Sequence, residues 1–355
     1  MIGIDLFSGA GGMSLGARCA GVDVALAVEC DPHAAMTYGA NHPATAVFNN
    51  DIRKLTARRI RGVAKNGATT IVFGGPPCQG FSYSNVRTRS AQNPENWLFT
   101  EFVRVVRVWK PDWVVFENVR GVVNTAGGIF VDYVVEHLVK LGYATTHGVL
   151  NAMDFGVPQD RARFFLVGCR CGIAPKLPGR TRRRTPTVAD AISDLPRLDN
   201  GASKSWMPYG DNSPSFYARR LRNGRHRSPN HLVTRNSRLV VRRYSHIPAG
   251  GNWEDIPGRL MRNYADRMRC HTGIYHRLRP DKPSVVIGNY RKNMLIHHTQ
   301  DRGLSVREAA RIQSFPDDYE FHGSIGFQQQ QVGNAVPPLL AQAVFEAIVG
   351  SCVIG

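Results

Sequence analysis

Short apolar runs alternate with helix-length segments through the first 170 residues of the 355-residue chain. Residues 2–7 (IGIDLF), 23–28 (DVALAV), 69–75 (TTIVFGG), 112–119 (DWVVFENV) and 163–168 (RFFLVG) read as buried strands. Segments 97–109 (WLFTEFVRVVRVW) and 128–142 (GIFVDYVVEHLVKLG) have the length and spacing of helices. Strand and helix in this alternation predict an α/β fold with a mostly parallel sheet. Such sheets bind ligands beyond the carboxyl ends of their strands.

The rhythm changes near residue 176. The segment KLPGRTRRRTPT reads as a linker, and the chain beyond it is rich in Pro, Gly, Arg, Asn and Ser. Residues 176–300 hold 25 Lys and Arg against 8 Asp and Glu, a net of +17 out of +18 for the whole chain. Charge this concentrated is an electrostatic footprint for a polyanion. Its arginines are interrupted by Pro, Gly and Asn, which argues for loops and against a basic amphipathic membrane helix. Regularity returns near 304, where Ser305 is placed to cap a helix and Glu308 to close a capping box. The last segment, PPLLAQAVFEAIVG, is apolar enough to pack as a helix against the first domain. No run approaches the roughly 18 apolar residues of a membrane span, and MIGIDLF lacks the pattern of a signal peptide. A cytoplasmic, membrane-free protein is expected. Seven cysteines, at 19, 30, 78, 169, 171, 270 and 352, form no CxxC pair. No metal site is expected, and Cys169 and Cys171 read as ordinary thiols.

Chemistry concentrates at the strand ends. Gly9, Gly11 and Gly12 stand between the first strand and a helical run, where glycines permit a tight turn and close approach to a ligand. The spacing is GxGG and Ser14 takes the third glycine position of a dinucleotide loop, so alone it is a weak signal. Glu29 ends the second strand, where a carboxylate can accept from ribose hydroxyls; Asp51 is placed for a further nucleoside contact, and either acid could equally be a surface residue. Cys78 follows the strand TTIVF through Gly74, Gly75, Pro76 and Pro77. Prolines that restrict and glycines that open the backbone suit a thiol held against a substrate. Glu117 ends the next strand, so a thiol and a carboxyl on adjacent strand ends make a nucleophile and proton-donor pair.

Taken in order, DLFSGAGG, PPCQGFS, ENV, QDRAR (159–163), REAARIQSFP (307–316) and QVGNAVP (331–337) resemble the DNA (cytosine-5) methyltransferases of the compact prokaryotic or phage kind. The motifs reach both ends of the chain. The resemblance implies a Rossmann-like S-adenosylmethionine-dependent methyltransferase domain, residues 1–180 with 322–355, and a smaller, irregular, basic target-recognition domain with hinge, residues 181–321. It implies methyl transfer from S-adenosylmethionine to C5 of a specific cytosine in double-stranded DNA. Cys78 would attack C6, Glu117 would engage N3, Arg163 would contact O2, and Arg161 would support the site. Asp5, Phe7, Gly9, Gly11, Gly12, Glu29, Asp51, Ile52, Pro76, Asn334 and Ala335 would hold the cofactor, with Phe7 on the adenine. The target base must flip out of the duplex. The polar segment after Cys78 would close over it, with Ser82 and Arg87 or Arg89 at the phosphates. Asn93-Pro94-Glu95 departs from the family's Asp-Pro-Arg there.

A monomer, nucleoid-associated when bound to DNA, is the expectation, in a restriction–modification system with a cognate endonuclease or as a phage or orphan enzyme. The alternatives are a transfer-RNA cytosine-5 methyltransferase and a non-catalytic DNA-binding relative. The long basic insert favours duplex DNA, and the retained Cys78, Glu117 and arginines favour catalysis. Arg307, Glu308 and Arg311 are expected to organise the recognition domain through internal hydrogen bonds, and Gln331, Gly333 and Pro337 to be architectural.

Overall fold

The computed structural model describes residues 1–77, 98–172, 175–180, 184–210, 212–264, 273–288 and 290–353, without the side chains of 125–129 and 353. The chain divides into two compact units, Met1–Ala152 with Ala162–Thr181 and Pro338–Gly355, and Met153–Arg161 with Arg182–Pro337. Residues 153–161 and 322–337 thus group with the second unit, where the sequence reading had them with the first.

The first unit runs β1 (Ile2–Leu6), α1 (Gly12–Cys19), β2 (Asp23–Glu29), α2 (Pro32–Asn41), β3 (Ala46–Asn49), α3 (Ala57–Arg61), β4 (Thr70–Gly74), α4 (Leu98–Trp109), β5 (Trp113–Val119), α5 (Ile129–Lys140), β6 (Ala144–Asn151) and β7 (Ala162–Cys169). Its seven strands lie in the order β3-β2-β1-β4-β5-β7-β6. β1 to β5 pair in parallel, and β7 runs antiparallel to both β5 and β6. The short link between β6 and β7 explains the reversal, since a parallel return needs a crossover of a dozen or more residues.

Every residue of β4 is buried, as a strand covered on both faces requires. Side chains on a strand alternate between faces. On one face Phe116 meets Phe102 of α4 edge-on at 5.5 Å; on the other Phe73 meets Phe345 of the C-terminal helix, Pro338–Val353, at 4.9 Å. In α4 Phe99, Phe102, Val103 and Val106 recur at helical spacing and are all buried. Residues Ile325–Cys352 are long and apolar enough to span a membrane on length and composition. They form two helices, however, and Leu340, Ala341, Val344, Phe345 and Ile348 of the second lie in the first unit's core.

One expectation at the end of β7 is corrected. The sulfurs of Cys169 and Cys171 lie 2.18 Å apart as a disulfide, their Cα atoms separated by 5.4 Å, within bridging range.

The second unit carries short helices, α6 (Val188–Ile192), α7 (Phe216–Arg222), α8 (Arg238–Tyr244), α9 (Val306–Ile312) and α10 (Ile325–Asn334), joined by long irregular stretches. Tyr244, Ile247, Trp253, Ile256, Met261, Tyr275 and Ile296 form a small apolar core. Buried charge fills much of the rest. Arg311 forks onto Asp317 at 2.6 and 2.9 Å and reaches Asp194 at 2.5 Å. Arg302 forks onto Glu308 at 2.6 and 2.8 Å. Arg307 donates to the carbonyls of Pro229, Pro316 and Tyr319.

Candidate active site

The sheet's strand order turns between β1 and β4, and the ligand edge of such a fold lies at the carboxyl ends of these strands. After β1 the chain makes a loop in which Phe7, Gly9 and Gly11 all take positive φ (60°, 53° and 86°), a region glycine enters without strain. Gly11 caps α1 in the left-handed conformation and Gly12 begins it. The loop is tied to β2 through Glu29, whose carboxylate accepts from Gly9 N–H at 2.7 Å and Asp31 N–H at 2.8 Å. The Cys30 thiol also bonds it; a carboxylate has about four acceptor positions, so capacity for a further donor remains. A Cβ built on Gly9 meets nothing within 4 Å, so the loop faces open space.

Asp5 lies beneath this loop, 1% exposed, accepting from Ser14 Oγ at 2.6 Å; that hydroxyl also bonds Tyr38 at 2.7 Å. Burial pushes the Asp5 carboxyl up to about 8, against the opposing Ser14 bond. Its side chain supports the loop from behind, and Ser14 has a role there that the glycine pattern alone does not announce. Phe7 is half-buried and packs on the core. Asp51 caps the turn Ile52–Lys54 and binds Arg53, whose hydrogen bonds hold its carboxyl down at about 2. Ile52 is buried beside it.

On the β4–β5 side the glycine–proline run meets Glu117. A Cβ on Gly75 would stand 2.5 Å from Glu117 Oε2, so a side chain there would push this carboxylate out of its place. Asn118 Nδ2 donates to Pro76 O at 3.0 Å and pins the run to β5. Glu117 is 8% exposed, and its Oε1 lies 3.2 Å from Arg163 Nε. Arg163 comes from β7, paired in register with Val119 of β5. Burial pulls its guanidinium below the ordinary value, with Glu117 opposing. Cys78, Ser82, Arg87 and Arg89 lie outside the described residues.

The remaining candidates belong to the second unit. Arg161 is 1% exposed and donates through Nη2 to Gly333 O at 2.9 Å and Ala335 O at 3.0 Å, capping the carboxyl end of α10. Asn334 ends that helix and is exposed; Ala335 comes next. Gln159, which sequence reasoning left without a role, donates to Gln313 Oε1 at 3.1 Å, and Gln313 donates to Val332 O at 2.9 Å. Its signal was its presence in QDRAR, beside the arginines. These two glutamines join three of the motifs by hydrogen bonds.

A methyl donor bearing a nucleoside fits this first-unit site: open space over Gly9, a carboxylate with a spare acceptor on β2, and a half-buried aromatic at Phe7. The chain is 40% identical over 347 residues to the type II methyltransferase M1.HphI of Haemophilus parahaemolyticus, covering 97% of this chain and 86% of that one. It is 34% identical over 373 residues to M.DdeI of Desulfomicrobium norvegicum, covering 97% and 88%. A solved E. coli prophage protein assigned as a DNA modification methyltransferase superposes with a TM-score of 0.79 at 27% identity, over 99% of both chains. The Entamoeba histolytica methyltransferase EhMeth, at 12% identity and a TM-score of 0.67 over 99% of this chain and 98% of that one, shares the fold. The family model for C-5 cytosine-specific DNA methylases matches residues 1–350, and the chain belongs to that family.

Proposed function

We propose that this DNA cytosine-C5 methyltransferase acts on one cytosine within a specific duplex sequence, as the modification half of a type II restriction–modification system, with S-adenosylmethionine as donor. The observation that carries the reading is the buried Glu117–Arg163 pair at 3.2 Å, beside the run that leads through Gly75 to Cys78. Cytosine C5 is a poor nucleophile until C6 has been attacked. The Cys78 thiolate forms the bond to C6, Glu117 delivers a proton to N3, and the ring's electron pair moves to C5. Arg163 donates to O2 and stabilises the charge that develops there. S-adenosylmethionine supplies an electrophilic methyl group. Loss of the C5 proton to a base then restores the double bond and expels the Cys78 thiolate, and N3 returns its proton to Glu117.

Phe7 and Glu29 orient the donor, with Asp51 at the nucleoside once Arg53 yields. Arg161 steadies the α10 end that carries Asn334 and Ala335. The cytosine is flipped from the stack at a cost of roughly a few kcal/mol. Ser82, Arg87 and Arg89 hold the adjoining phosphates, and the basic region 181–321 selects the sequence. Its net charge and this substrate class support a protein that works in the cytoplasm on the nucleoid.

The test is incubation with unmethylated plasmid and labelled donor, and then mapping of modified cytosines. 5-Methylcytosine at one short sequence is expected, with Cys78→Ala abolishing turnover while donor binding stays nearly unchanged. Absence of product on every duplex, or turnover retained by Cys78→Ala, would overturn the reading; product on transfer RNA alone would replace the substrate.

A further inference from the structure

One stretch of the basic region is fastened directly to the QDRAR motif. Ser284 N–H donates to Pro158 O at 2.9 Å, Asp160 N–H donates to Ser284 O at 2.8 Å, and Ile287 N–H donates to Gln159 Oε1 at 3.2 Å. A Cβ on Gly333 would run into the carbonyl oxygen of Gly288, so the backbones are in close contact just beyond. Tyr290, 2% exposed, anchors the next step. Between these anchors the pattern of exposure breaks the strand rule. Ser284 and Ile287 are buried, while the consecutive Val285 and Val286 are 41% and 45% exposed. Two adjacent β-branched apolar side chains held outward by fixed ends need a reason, because a strand would alternate them. Arg291 and Lys292 come after them, both exposed, with Lys282 before them. The nearby carboxylate of Asp281 is already taken by Arg279 at 2.7 Å.

The geometry points to Val285 and Val286 as a base-reading strip for pairs of the recognition sequence, with Arg291 and Lys292 on the neighbouring phosphates. This rests on duplex DNA being the substrate. Apolar side chains read the groove edge of a base pair through its C5 position, above all a thymine methyl group, while cations on phosphate fix the register without reading sequence. Attachment to residues 158–160 fixes the strip within its own unit.

The experiment measures methylation by the full-length protein on a duplex library with randomised sequence around the cytosine. Val285→Ala/Val286→Ala should relax preference at one or two positions by about tenfold or more, with donor binding unchanged. Arg291→Ala/Lys292→Ala should lower kcat/KM on all sequences alike and reduce the salt slope of DNA binding by about 2. Val285→Thr/Val286→Thr keeps the shape and exchanges a methyl for a hydroxyl; it guards against loss of fold and should also alter the profile. A wild-type sequence profile from both valine variants overturns the strip alone. Wild-type protein silent on every duplex overturns the strip together with the substrate reading.

Discussion

Asp5 shows how a carboxyl next to the glycine loop can serve the fold. It is buried, it receives only the Ser14 hydroxyl among its described hydrogen bonds, and burial raises it to about 8. An acid raised in the folded state prefers its proton there. The stabilising contribution is therefore complete below the ordinary carboxylate value near 4 and is lost as pH rises through about 8. Asp5→Asn keeps the shape and an acceptor for Ser14 and does not titrate. Thermal midpoints of the two proteins from about pH 5 to pH 8 should diverge, the wild type losing ground as pH rises. A difference constant with pH would mean that Asp5 is ionised in the fold.

Helix α9 carries the reverse case. Its N-terminus has the capping box expected from sequence, with Glu308 N–H donating to Ser305 Oγ at 3.0 Å and Ser305 N–H donating to Glu308 Oε2 at 2.7 Å. Burial works to raise Glu308, but Arg302 and His297 outweigh it and hold it well below the carboxylate range. Burial likewise works against Asp317, and Arg311 prevails. Removing Arg311 leaves two buried carboxylates short of a cation, Asp194 keeping Arg222 and Asp317 keeping the Tyr209 hydroxyl, so Arg311→Ala should cost about 3 kcal/mol in urea unfolding. Arg311 shares Asp194 and Asp317, which would both be left buried. A loss below about 1 kcal/mol, the range of a surface pair, would show that water reaches the network. The capping box was legible because it is local in sequence. So were β1, β2, β4, β5 and β7, whose apolar runs reflect burial on both faces. The edge strands β3 (AVFN) and β6 (ATTHGVLN) were not, since edge strands are partly exposed and need no apolar run. Glu117 and Arg163 were legible as motif members, but their pairing across antiparallel strands was not, because nothing in the sequence gives strand direction.

At the scale of the whole molecule, net charge overstates what is available to a polyanion. Several arginines of the basic region are spent inside the second unit. Arg243 donates to Leu260 O at 2.7 and 2.9 Å, and Arg277 donates to the carbonyls of Tyr244, Ile247 and His297. Arg219, Arg220, Arg225, Arg227, Arg235 and Arg238 are exposed. Each phosphate neutralised releases counterions, so the logarithm of affinity falls with the logarithm of salt by about 0.9 per contact. If six to ten exposed cations engage, DNA affinity should fall by about 10³ to 10⁵ between roughly 50 and 200 mM salt. The proposed donor contacts of Phe7, Glu29 and Asp51 lie outside the basic region, so donor binding should change little over the same range. Fluorescence anisotropy with duplex and calorimetry with donor, on one preparation, separate the two. A DNA slope near zero would remove the basic region from phosphate contact, and its arginines would then be a property of the fold alone. Charge reversal at Arg219 and Arg220 tests one arrangement: a smaller slope puts α7 on the duplex, and an unchanged one leaves the contacts to Arg225, Arg227, Arg235 and Arg238.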